Sequence, residues 1–292
     1  MTATRPAEVV AAQLVVDGQT TTGHSVVIDA AQFETWATTR VRASRSKLMT
    51  TDMTAIVEFR GVRLAKILDA VGVEPGVEDL TLVASDGYRG TVTVHDALTF
   101  DITLALAVDG RPLKTTEGGP LFLVFPALDQ PEVMLTNPRG GWAWYVTNLV
   151  VGTQPASLTV GGQDFDAAAL AALPQTTIDV AVSLRNGWPS GPAHVSGPTV
   201  RDVLAAAGVS GASGVRVHTL FDAPEHALHL SPDEIEGCGV MIARAYGPDL
   251  APIPARLGGP LVLVFPPGCP ERPTTTKWPT FVQSLSVDGV TP

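Results

Sequence analysis

Cysteine is almost missing from this chain of 292 residues, with only Cys238 and Cys269 present. So low a count excludes a disulfide framework. A single bond between the two is conceivable, but the count fits a reducing compartment better. Lysine is scarce as well, at four, and the formal net charge is -10. The electrostatic footprint of a nucleic-acid binder is therefore missing. The acidic sign alone points to no partner. Charged residues make up 16% and hydrophobic residues 45%, which is too little charge for disorder and enough apolar material for two cores. No apolar run has the length that spans a bilayer. The opening residues carry Glu8 and Asp17 within their apolar part, unlike an export signal. These absences predict a cytoplasmic protein with neither a membrane nor a nucleic-acid partner. Also missing are a Walker loop, a Rossmann glycine fingerprint, an H-E-x-x-H pair and a G-x-S-x-G turn.

What is present is a repeat. Gly118–Pro126 reads GGPLFLVFP and Gly258–Pro266 reads GGPLVLVFP, differing only at Phe122 and Val262. Two near-identical runs imply one unit used twice, with domains at 1–152 and 153–292. In the first, Leu14–Gln19 reads as a strand, and Asp29 reads as the cap of a helix that turns Phe33 and Trp36 inward. A strand around Ile56–Phe59 is expected to break at Gly61. Leu64, Ile67, Leu68 and Val71 then fall at helical spacing, with Gly72 as a stop. Leu80–Val94 reads as a hairpin around Asp86-Gly87. In the second, LTVGGQ at Leu158–Gln163 answers LVVDGQ, Asp166 caps a helix, Gly197 answers Gly61, Asp222 answers Asp86 and Trp278 answers Trp142.

The order of these pieces resembles the molybdopterin-binding domain of the sulfite oxidase family, the SUOX fold, in two copies over about 13–152 and 157–290. The resemblance implies an α+β architecture, with a mixed-sheet core and short helices around it. In catalytic members of that family a cysteine thiolate between the first helix and the Gly-x-x-Leu helix binds molybdenum, a soft anionic ligand for that metal. The matching intervals, Arg40–Arg60 and Val180–Ser196, contain no cysteine. An arginine that commonly follows Gly-x-Pro-Leu is replaced by Phe122 and Val262. The resemblance therefore implies a scaffold without molybdenum that binds a small molecule, such as a pterin-like heterocycle.

The candidate pocket residues are Asp86, Tyr88, Arg139, Trp142 and Trp144: a carboxylate, a guanidinium and aromatic walls. The competing reading makes Asp86-Gly87 only a turn and the tryptophans core. Trp142 follows Gly140-Gly141, which favours a loop position over a buried one. Arg40, Arg42, Arg45 and Lys47 stand where the metal loop would be. They suit either an anionic ligand group, for which Arg42 and Arg45 are the candidates, or a solvated surface. His226 and His229 are spaced for a metal only on a helix and fall on a strand, so no metal site is assigned. With Asp86 and Tyr88 they are the acid–base candidates if the protein is a metal-free enzyme. Cys269 reads as an ordinary loop thiol. A third alternative is a molybdenum oxidoreductase with an atypical ligand. The ligand's identity and the oligomeric state are left open by the sequence.

Overall fold

The computed structural model describes residues 11–44, 55–137, 141–182, 187–221, 227–269 and 278–289. The chain divides into two compact units, Met1–Gly152 and Thr153–Pro292.

The first unit opens with a hairpin of β1 (Leu14–Gly18) and β2 (Val26–Ile28). The helix α1 (Ala30–Trp36) starts where Asp29 predicts, because Asp29 Oδ1 accepts a hydrogen bond from the Gln32 amide at 2.9 Å. It buries Phe33 fully. The antiparallel pair β3 (Thr39–Ser44) and β4 (Ile56–Arg63) follows. The expected break at Gly61 does not occur; β4 runs through it. A side chain at Gly61 would collide with the Leu104 carbonyl, so the glycine permits a close approach of two backbones where the register shifts. The helix α2 (Leu64–Val71) buries Leu64, Ile67, Leu68 and Val71, the face its periodicity predicts, and stops at Gly72 with φ 66°.

Next come β5 (Asp79–Ala84) and β6 (Arg89–Thr93), the expected hairpin, then α3 (Val94–Thr99), β7 (Thr103–Val108) and β8 (Arg111–Pro112). A 3₁₀ turn at Thr115–Glu117 leads into the repeated run, of which β9 (Phe122–Val124) is the strand. The short α4 (Val133–Thr136) and β10 (Val146–Val151) close the unit. One sheet has the order β2-β1-β10-β5-β6, with β1 parallel to β10. The other is β3-β4-β7-β8, with β9 also on β7. Leu14, Leu82 and Leu149 from the first sheet share a core with Phe59, Leu104 and Phe122 from the second.

The second unit contains β11 (Ser157–Val160), β12 (Gln163–Asp166), α5 (Ala167–Ala172), β13 (Thr176–Val180) and β14 (Ala193–Gly197). Asp166 caps α5 by accepting from the Ala169 amide at 2.7 Å. There follow α6 (Val200–Ala206), β15 (Gly214–Thr219), β16 (Leu228–Leu230), α7 (Pro232–Gly237), β17 (Met241–Ala243), β18 (Ala245–Tyr246), β19 (Ala251–Pro252), β20 (Val262–Val264) and β21 (Val282–Asp288). The order β12-β11-β21-β15-β16 holds one sheet, with β11 parallel to β21. The strands β13-β14-β18-β19 form another, and β17 pairs with β20. Both units are thus mixed sheets with short helices. No described helix is long and apolar enough to cross a membrane.

The expectation of free thiols fails. Cys238, at the C-terminal end of α7, is bonded to Cys269 after β20, with Cα atoms 5.0 Å apart. The two are 31 positions apart in sequence. Packing of α7 beside the strand pair is what brings them together, and nothing in their spacing announces it. In the first unit the turn after α3 is tied to the segment after β9 by other means. The Asp101 amide donates to Gln130 Oε1 at 2.8 Å, and Gln130 Nε2 donates to Asp101 Oδ2 at 3.0 Å.

Candidate functional site

The hairpin between β5 and β6 places Asp86 and Tyr88 at the surface. Asp86 Oδ1 accepts from the Tyr88 amide at 2.9 Å, and Gly87, at φ 84°, takes the left-handed position of the turn. Asp86 therefore shapes the turn as well as presenting a carboxylate. Tyr88 is 39% exposed.

The tryptophans behave differently from the expectation. Trp142 lies in an irregular segment but is only 4% exposed. Its ring packs on Phe122 at 5.6 Å and Phe125 at 5.7 Å between centroids. The loop reading of Trp142 is right about the backbone and wrong about the side chain, because Gly141 crosses over Gly90 and carries the ring inward. Trp144 is half-buried and stacks on Phe122 at 5.9 Å with a 12° interplanar angle. Its other edge meets Gly118, where φ is 94° and a side chain would strike the indole. Phe122 is fully buried among Phe59, Trp142 and Trp144. The position that the resemblance gives to an arginine is therefore a core position here. Arg139 lies outside the described residues.

The basic stretch on β3 follows strand alternation: Val41 and Ala43 are buried, Arg40 and Arg42 exposed. Arg40 pairs with Glu58, and Arg42 pairs with Asp129. The hydrogen bond to Asp129 raises the Arg42 guanidinium above its ordinary value and lowers the Asp129 carboxyl below its own. At the described positions this is a salt-bridged surface. Arg45 and Lys47 lie outside the described residues.

His229 sits on β16, half exposed, with Nε2 at 3.3 Å from Asp288 Oδ2; Asp288 Oδ1 also accepts from Arg216 Nε at 3.1 Å. His226 and Asp222 are outside the described residues. Among the described residues, no group of three His, Cys, Asp or Glu side chains is placed to hold a metal ion.

Sequence reasoning missed two charged groups in the first unit. Arg89 opens β6 directly after the turn, and only 8% of it is exposed. Burial pulls its guanidinium down to about 10. The signal was an arginine adjoining Asp-Gly-Tyr. Asp96, on α3, is 1% exposed and accepts from Thr136 Oγ1 at 2.7 Å and Asn137 Nδ2 at 2.9 Å, so it anchors the end of α4.

A molybdenum centre of the kind the resemblance implies needs a thiolate from the chain. Both sulfurs are consumed in the Cys238–Cys269 bond, so the donor set does not fit that centre.

No curated protein matches the chain. Among solved structures, it is similar to the sulfane dehydrogenase SoxCD from Paracoccus pantotrophus, at 14% identity and a TM-score of 0.36, over 87% of this chain and 62% of that one. The chain thus spans less than two thirds of that protein's chain. Residues 22–129, from the turn before β2 to the segment after β9, match the model of the oxidoreductase molybdopterin binding domain.

Proposed function

We propose that this protein binds a small, flat, polar heterocycle of the pterin type on a molybdopterin-domain scaffold, without a molybdenum–thiolate bond. The observation that carries the reading is the disulfide, which leaves the chain no thiolate. Arg89 supplies a cation beside the Asp86–Tyr88 turn, in surroundings where screening by water is weak. Asp86 offers an acceptor for the ring's amino edge, and the exposed face of Tyr88 offers a stacking surface. Trp142 has no part in this reading, since its ring is already committed to the core.

The proposal extends to origin: the two units are one sequence used twice. Supporting it are the matching strand orders β2-β1-β10-β5-β6 and β12-β11-β21-β15-β16. The left-handed residues Tyr145 and Phe281, each shortly before the last strand of its unit, add to it.

A second reading, a molybdenum-cofactor oxidoreductase with an atypical ligand, is favoured by the family match over residues 22–129. One pair of measurements separates the two. Protein made in a host that supplies the molybdenum cofactor is analysed for metal, then titrated with tetrahydropterin while its fluorescence is followed. The binding reading expects substoichiometric molybdenum and saturable quenching that weakens at least tenfold in Arg89→Gln. Stoichiometric molybdenum establishes the second reading instead, and absence of saturable quenching removes the pterin.

A further inference from the structure

The second unit has a groove of about 400 Å³ between α6 and α7, within the range of small-ligand sites. Each helix contributes one face at i, i+3, i+4 spacing: Arg201 and Leu204 from α6, and Pro232, Ile235 and Glu236 from α7. Leu204 and Ile235 are buried and form its floor, and Val209, just past α6, extends the apolar wall. The Val200 amide donates to the Val240 carbonyl at 2.8 Å. The start of α6 therefore lies beside the chain leaving α7, and Arg201 and Glu236 stand at the same end. Val209 and Pro232 mark the opposite end.

Arg201 and Glu236 are exposed, and neither makes a hydrogen bond or ion pair among the described residues. One end of the groove thus carries two opposite charges with no ion pair between them among the described residues, and the remainder is apolar apart from Ser210 in the turn after α6. That pattern complements a zwitterionic head on a hydrophobic tail. We propose that the groove binds a free α-amino acid with a large apolar side chain. Its carboxylate meets Arg201, its ammonium meets Glu236, and its side chain lies on Leu204, Val209, Pro232 and Ile235. This site is separate from the first-unit site above and stands or falls without it.

Calorimetric titration of the full chain with L-leucine and L-phenylalanine, then with N-acetyl-L-phenylalanine and L-phenylalaninamide, tests the proposal. Saturable binding of at least one free amino acid is expected, weakened at least tenfold by blocking either end. In Glu236→Gln the acetylated compound should lose its disadvantage, and in Arg201→Gln the amide should lose its own. Both substitutions are at exposed positions and leave folding intact, which circular dichroism checks. Lack of saturation by both amino acids, or equal affinity for free and blocked forms, overturns the proposal. Either failure leaves the pterin titration untouched, since that experiment reports on Arg89 and Tyr88.

Discussion

Phe122 shows how one residue decides what a pocket can be. Its ring fills the space between Phe59, Trp142 and Trp144, with no exposure. Truncation to alanine should cost about 3–5 kcal/mol, measurable by urea denaturation. Phe122→Arg, which restores the residue of the resemblance, should give a first unit that fails to fold instead of one that binds an anion, because the cation would have no water and no built partner there. Glu117 is a second case. Arg111 donates to both its oxygens at 2.6 Å, and the Lys114 amide adds a bond at 3.2 Å. Arg111 is the main cause that holds this carboxyl below its ordinary value. A depressed carboxyl stabilises the fold above the unfolded-state value and loses that contribution as pH falls through the folded-state value. Melting temperatures between pH 7 and pH 3 should therefore drop more steeply for the parent protein than for Glu117→Gln, and a parallel pair of curves would count against this role. The capping residues Asp29 and Asp166 were legible in the sequence because their partners are three residues away. The burial of Trp142 was not, because it depends on rings distant in the chain.

At the scale of elements, local patterns carried well and long-range ones poorly. The apolar face of α2 and the hairpin of β5 and β6 follow from spacing and from Asp-Gly chemistry. The continuation of β4 through Gly61 does not, since the glycine serves a contact with Leu104 made across a sheet. The Cys238–Cys269 bond was equally silent, for it arises from the docking of α7. It closes a separation of 31 residues, for which chain entropy gives about 2–4 kcal/mol of stabilisation. Reduction, or the pair of substitutions Cys238→Ala and Cys269→Ala, should lower the unfolding free energy by that amount. The capping box of α7, in which the Ser231 amide donates to Glu234 Oε2 at 2.8 Å, should keep the helix itself in place. Hydrogen exchange at α7 can check this, and complete loss of protection there would show that the bond, not the cap, holds it.

For the molecule as a whole, each cluster of buried apolar side chains among the described residues draws its members from a single unit: one from the first, two from the second. A fragment beginning at Thr153 should therefore melt cooperatively and keep the near-ultraviolet signal of the edge-to-face Trp188–Trp278 pair, whose centroids are 5.7 Å apart. A fragment with no cooperative transition would mean that these cores need the rest of the chain. The junction after the third helix of each unit has a different consequence. One is fastened by an amide and a carboxylate, the other by sulfur. A small dithiol can thus address the second unit of this chain and leave the first deaf to it, so the chain carries a chemical handle in one of its two units.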